Sequence, residues 1–192
     1  MPIIESVQVA SVAVQLDKVT SFSTRTVSER HYCLVKVRDK DGNQGIGFCY
    51  VGSAGGDIAK IAVEQLLAPK LIGQNSHRSE GLWMDMYNES ILQGRTGAVM
   101  RGISILDTAL WDLNARSVGL PLHQYLGSVV DDRVPAYASG GYYLDGKTPA
   151  KLGKEMESYV KQGFKAVKMK VGRLSPVEEE ARVRAARKAI GE

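Results

Sequence analysis

The sequence predicts an α+β domain, an antiparallel three-stranded meander plus helices, followed by the first βα units of a parallel sheet. Three observations carry this. Three strand-patterned segments come in succession, a run of helical patterns follows them, and near residue 134 the order changes to strand, helix, strand, helix.

The first strand is predicted over Ile3 to Leu16, where Val7, Val9, Val12 and Val14 break strict alternation and place a bulge or break near Ser11. Thr20 to Glu29 is polar and reads as a loop. His31 to Arg38 is the second strand, with Tyr32 and Leu34 on one face and Cys33, Val35 and Val37 on the other. Asp39-Lys40-Asp41-Gly42-Asn43 has turn chemistry, and Gly45 to Val51 returns as the third strand. Gly52 to Gly56 is a flexible connection.

Asp57 is positioned to cap a helix with apolar positions Ile58, Ile61, Ala62 and Leu66, ending near Pro69. A second helix is predicted over Ser79 to Leu92, with Trp83, Met86, Tyr87 and Ile91 on one face. Val99, Ile103, Leu106, Leu110 and Leu113 step by four, three, four and three, which is one helical stripe. Gly119 ends that helix and Pro121 follows.

The pattern changes after Asp131-Asp132. Val134 to Ser139 is a short apolar strand. Thr148 caps a helix that starts on Pro149, runs through Leu152, Met156, Tyr159 and Val160, and stops at Gly163. Phe164 to Val171 is the next strand. Ser175, Pro176 and Glu178 form a capping box for a helix to about Ala189. Two βα units neither close a parallel sheet nor cover it, so the sequence is expected to be part of a larger βα protein.

Composition excludes several classes. Among 192 residues, 24% are charged and 44% are hydrophobic, which suits a globular chain and not a disordered or fibrous one. No apolar run is long enough for a spanning helix, and the start lacks a secretory pattern, so neither membrane nor export is expected. The net charge of +4 is uneven: residues 1–146 carry −2 and residues 147–192 carry +6. No aromatics are interleaved with the basic groups as base stacking would require, so no nucleic-acid partner is expected. Cys33 and Cys49 make no metal or redox motif. They read as reduced thiols of a cytoplasmic protein, although their closeness across a hairpin leaves a disulfide open.

The informative segment is Lys165-Ala166-Val167-Lys168-Met169-Lys170-Val171-Gly172. On a strand, Val167, Met169 and Val171 share an apolar face, and Ala166, Lys168 and Lys170 share the other. Lys170 stands at the C-terminal end, where barrel enzymes place catalytic groups. A neighbouring ammonium and partial burial would both lower its pKa toward the range of a general base. From this segment alone, an edge strand with ordinary surface lysines remains the alternative. Asp107 and Asp112, five apart on one helix, read as structural hydrogen-bonding groups. His31, His77 and His123 share no motif. Gly140-Gly141 serves either a close backbone approach or a turn.

Taken together, Gly102-Ile103-Ser104-Ile105-Leu106-Asp107-Thr108-Ala109-Leu110-Trp111-Asp112-Leu113, Gly119-Leu120-Pro121-Leu122, Leu126-Gly127, Val134-Pro135-Ala136-Tyr137-Ala138-Ser139 and Lys168-Met169-Lys170 resemble the mandelate racemase/muconate lactonizing enzyme family of the enolase superfamily. The order and spacing match over essentially the whole chain. Ile105 is bulkier than is usual there, and Tyr125 stands where a leucine is usual.

The resemblance implies an α+β capping domain over residues 1–125, then the opening of a modified TIM (β/α) barrel over 126–192. It implies a magnesium-dependent enzyme that takes the α-proton of a small carboxylate substrate, a homo-oligomer when full length. Lys170 would be the base, and Lys168 its partner toward the carboxylate. Racemisation, epimerisation, sugar-acid dehydration and cycloisomerisation all share that step. The family's two specificity loops match Ser21 to Thr26 and Tyr50 to Gly55, which makes Phe22, Arg25 and Tyr50 candidate substrate contacts. Tyr137 and Ser139 join them from the first barrel strand. The alternative for such loop residues is simple solvation. The metal ligands are expected on later barrel strands, beyond residue 192, and the chain alone is expected to be inactive. The rival functional classes are a non-catalytic interaction module pairing through its open barrel edge and a truncated gene product.

Overall fold

The computed structural model describes residues 2–127 and 133–191. Asp131-Asp132, where the pattern changes, lies outside the described residues, as does Glu192. The chain divides into two compact units: residues 1–15 with 29–132, and residues 16–28 with 133–192.

In the first unit, β1 (Ile4–Phe22), β2 (Arg25–Asp39) and β3 (Gln44–Gly52) form a sheet in sequence order, and the distal parts of β1 and β2 belong to the second unit. β2 and β3 pair antiparallel, with Cys33 opposite Cys49 and Val35 opposite Gly47. The Asp39 turn closes as predicted. Asn43 donates its backbone N–H to Asp39 Oδ1 and its side-chain amide to Asp39 Oδ2, both at 2.8 Å. Cys33, Val35 and Val37 are buried while Leu34 is exposed, so the faces fall as the alternation requires.

Two expectations change here. β1 runs unbroken through Ser11, and β1 and β2 extend to Phe22 and from Arg25, so the expected loop over Thr20 to Glu29 is a hairpin around Ser23-Thr24. The polar pattern misleads because most of this ribbon is exposed: Lys18, Val19, Thr26 and Ser28 face outward, and only Val27 is fully buried there.

The helices pack on the other side of the first unit's sheet. α1 (Gly56–Ile61) continues through a wider turn over Ala62–Leu67 and a tight turn over Ala68–Lys70. Its cap position is Gly55 in a left-handed conformation, and Asp57 sits in the first turn without capping. The buried stripe is Ala59, Val63 and Leu67, while Ile58 and Ile61 are exposed. The buried stripe is therefore displaced by one residue from the predicted one, and the displacement is already present in α1 at Ala59, ahead of the wider turn. α2 (Ser79–Glu89) buries Leu82 and Met86 and stops before Ile91 and Leu92, which are exposed.

α3 (Gly97–Ser117) buries Ile103, Leu106, Leu110 and Leu113, as its spacing predicts, together with Ile105 and Ala109. Gly119, at φ 69°, donates to the Arg116 carbonyl, and Leu120 donates to that of Ala115. These two bonds are the Schellman stop that only a glycine accommodates cheaply. α4 (Leu122–Tyr125) follows at once. β3 lies backbone-close on α3. A Cβ at Gly47 would stand 2.0 Å from the Ile105 carbonyl oxygen, and one at Gly45 would stand 2.0 Å from that of Ala109.

In the second unit, β4 (Ala138–Ser139) and β5 (Val167–Lys168) pair in parallel. Both strands are much shorter than the expected Val134 to Ser139 and Phe164 to Val171, because regular pairing exists only where the two meet. α5 (Pro149–Lys161) and α6 (Pro176–Ile190) carry the predicted caps. Thr148 accepts from Lys151 N–H, and the Ser175–Glu178 box is complete. Leu152, Met156 and Ala186 form the core between these helices, joined by Tyr159, Val167, Met169 and Ile190. Val171, assigned to the same apolar face, is exposed. The hairpin tip joins this unit through an antiparallel bridge, in which Ser21 N–H donates to the Tyr143 carbonyl and Tyr143 N–H donates back, at 3.1 and 3.0 Å.

Candidate active site

Side-chain alternation on β5 builds the site. Val167 and Met169 enter the α5–α6 cluster, which turns Lys168 and Lys170 to the opposite face. Lys168 pairs in register with Ser139 of β4, so these two side chains stand side by side. The ladder bonds are Ala138 N–H to the Ala166 carbonyl at 3.1 Å and Gly140 N–H to the Lys168 carbonyl at 2.9 Å. Lys168 is exposed and Lys170 half-buried. Lys170 Nζ lies 5.3 Å from the centroid of the Tyr142 ring, a cation–π approach. Two cationic groups and a hydroxyl on one face suit an anionic ligand.

Two part-buried carboxylates hold the turns that carry these groups. Glu155 of α5 accepts from Gly141 N–H at 3.1 Å and from the Tyr159 hydroxyl at 3.0 Å, and it pairs with Lys147. Burial alone would raise its carboxyl pKa. The Lys147 ammonium and the Gly141 N–H outweigh that and hold it below the ordinary glutamate range. Glu179 of α6 accepts backbone N–H groups from Gly172, Arg173 and Leu174 at 3.1, 3.0 and 3.0 Å, and also from the Tyr143 hydroxyl. Burial opposes its ionisation too, and the Tyr143 hydroxyl with those three amides holds its pKa low. Arg182, only 4% exposed, pairs with Glu179 at 3.4 Å and lies 4.0 Å over the Tyr143 ring.

Gly140 and Gly141 are thereby explained in part. Gly141 has φ 66°, and a Cβ there would stand 2.5 Å from that of Met169. A Cβ at Gly140 would meet the Tyr159 hydroxyl at 2.4 Å. These glycines let the turn close against β5 and α5.

Sequence reasoning missed Glu155, Glu179, Arg182 and Tyr143. The only signal was the i, i+3 spacing of Glu179 and Arg182, which is common on solvated helix faces and does not announce burial.

The remaining candidates are distributed differently. Phe22, at the hairpin tip, is half-buried, and its carbonyl accepts from Arg173 Nη1 at 3.3 Å. Arg25 is exposed, and Tyr137 is 56% exposed, outside the β4 ladder. Tyr50 belongs to the first unit. It is 41% exposed, packs against Tyr32 at 5.8 Å between ring centroids, and accepts at its carbonyl from Arg101 at 2.6 Å. The structure therefore brings together Ser139, Lys168 and Lys170, with Phe22 of the hairpin in the same unit.

Asp112 is structural. It accepts from Ile46 N–H at 2.9 Å and pairs with Arg116 at 3.0 Å, tying α3 to β3. Asp107 is half-buried, with its pKa raised by desolvation against the pull of a hydrogen bond from Trp111. Cys33 and Cys49 are free thiols. Among the described residues, no group of three or more His, Cys, Asp or Glu is placed to hold a metal ion, and no helix is long and apolar enough to cross a membrane.

Residues 4–127 match the model of the mandelate racemase/muconate lactonizing enzyme N-terminal domain. The chain is 38% identical over 136 residues to arabinonate dehydratase of Saccharolobus solfataricus, covering 71% of this chain and 36% of that protein. It is 35% identical over 159 residues to 3,6-anhydro-alpha-L-galactonate cycloisomerase of Streptomyces coelicolor, covering 82% of this chain and 43% of that one. Among solved structures, a racemase from Streptomyces coelicolor with bound magnesium superposes with a TM-score of 0.89 at 31% identity, over 98% of this chain and 52% of that one. The chain thus spans less than half the length of these curated relatives.

Proposed function

The chain belongs to the mandelate racemase/muconate lactonizing enzyme family of the enolase superfamily, and from that premise we propose that the protein containing it removes the α-proton of a sugar-acid carboxylate. The observation that carries this is the pair Lys168 and Lys170, turned together to the face opposite the α5–α6 core, with Ser139 in register beside Lys168.

The chemistry follows from charge. An α-proton next to a carboxylate is weakly acidic because its removal creates a second negative charge on the same small group. Fixed cations near that group stabilise the enediolate more than the substrate, and so lower the barrier. Lys170 Nζ takes the proton as its neutral amine. Lys168 faces the carboxylate oxygens and offsets the developing charge. Phe22 and Arg25 of the hairpin, Tyr50, Tyr137 and Ser139 are proposed to contact the rest of the substrate. The names of the relatives favour a polyhydroxy acid, whose collapse from the enediolate by loss of a β-hydroxyl is a dehydration.

The relatives include a structure with bound magnesium, and a magnesium requirement is proposed for the whole protein. The described residues do not form a metal site.

The test is solvent-deuterium incorporation. The whole gene product containing this chain, incubated in deuterated buffer with magnesium and a panel of aldonates and aldarates, exchanges the α-hydrogen of at least one acid or converts it. No exchange and no turnover across the panel overturns the proposal.

A further inference from the structure

We propose that Arg182 and Glu179 form a positioning latch that fixes Lys170 just past the end of β5, where the strand ladder itself does not reach. This rests on Lys170 being the base. The last ladder bond is from Gly140 N–H to the Lys168 carbonyl, two residues short of Lys170. Beyond it the two strand ends are bridged by one side chain. Arg182 Nη2 donates to the Gly141 carbonyl at 2.9 Å and to the Lys170 carbonyl at 3.2 Å. The guanidinium is held on both sides, by Tyr143 under its plane and by Glu179 at its Nε. Glu179 in turn takes the N–H groups of Gly172, Arg173 and Leu174, which begin two residues after the base.

The exit from β5 therefore has its carbonyl end gripped by a cation and its amide end gripped by an anion. Both come from adjacent turns of α6, whose register is fixed by the Ser175–Glu178 capping box. Both carbonyls are reached from one terminal nitrogen, Nη2, which stays in place because the rigid guanidinium is also fixed at Nε by Glu179 and stacked over Tyr143; a flexible ammonium lacks those two fixings. Neither Arg182 nor Glu179 is placed here to touch substrate. Their effect is on where Lys170 stands, and displacement of a base by about 1 Å costs on the order of a hundredfold in rate.

The test compares wild type, Arg182→Lys and Glu179→Gln in the whole gene product with magnesium. Deuterium incorporation into galactarate and arabinonate gives kcat and KM. Amide hydrogen exchange of residues 170–174 is measured on the same samples, with residues 103–113 as the folding control. The latch predicts a fall in kcat of about ten- to a hundredfold with KM within about twofold, and at least tenfold faster amide exchange in 170–174 with 103–113 unchanged. Loss of neither, or of one without the other, overturns it. If the wild type exchanges no α-proton, the assignment of Lys170 as base fails instead. Amide exchange then decides alone: faster exchange in 170–174 supports the latch and unchanged exchange overturns it.

Discussion

Gly47 shows how much a single position decides. Nothing but a hydrogen fits between β3 and the Ile105 carbonyl, so Gly47→Ala must push strand from helix. It is expected to destabilise the first unit by more than about 3 kcal/mol, at the upper end of overpacking costs. A denaturation midpoint within error of wild type would contradict the backbone-close packing. Cys33 illustrates burial at the same level. Desolvation, with Cys49 opposite, pushes its thiol up to about 11. The thiol is therefore neutral and slow to react at neutral pH, and iodoacetamide should label it only on unfolding. Because the folded pKa is raised, the stability it contributes is complete below the unfolded value near 8.5 and is lost as pH rises toward about 11. Rapid labelling of the native protein at pH 8 would contradict this.

Elements were legible in the sequence where their cause is local. The Asp39 turn, the α3 stripe with its Gly119 stop, and the caps at Thr148 and Ser175 each depend on a few neighbouring residues, and each stands where it was predicted. The extension of β1 and β2 to the hairpin tip was not legible, because an exposed ribbon has no apolar face to reveal its period. The phase of α1 was not legible, because the large apolar Ile58 and Ile61 are exposed while the small Ala59 is the residue that packs inward. The lysine face of β5 followed from alternation alone, whereas Glu155, Glu179 and Arg182 acquire their burial only when α5 and α6 close over the strand ends. Acid provides a test of those two carboxylates. Their folded pKa values are depressed, so their contribution is present above the ordinary glutamate value near 4.3 and is lost as pH falls through the lower folded values. Amide protection in 140–143 and 170–174 should fall in that window, and Glu179→Gln should remove the pH dependence in 170–174. A variant with the wild-type acid profile would assign the protection elsewhere.

As a whole, the chain is two units, and the proposed site residues divide between them. The first unit is a sheet with helices on one face and holds Tyr50, a candidate contact; the family's N-terminal domain model spans residues 4–127 and so also takes in the hairpin 16–28 of the second unit. The second contributes the lysines, Ser139 and the hairpin tip. Neither presents a metal-binding cluster among the described residues. The 192-residue chain by itself should therefore bind magnesium only nonspecifically in calorimetry. One stoichiometric tight site would show that ligands were overlooked. Whether Lys170 takes the α-proton is tested most directly by deuterium incorporation in the whole gene product with magnesium, wild type against Lys170→Ala. The prediction is that the wild type exchanges the α-hydrogen of its substrate, while Lys170→Ala, folded and with unchanged amide protection in residues 103–113, loses that exchange by at least about a thousandfold. Exchange persisting in Lys170→Ala at a rate near wild type would contradict the assignment.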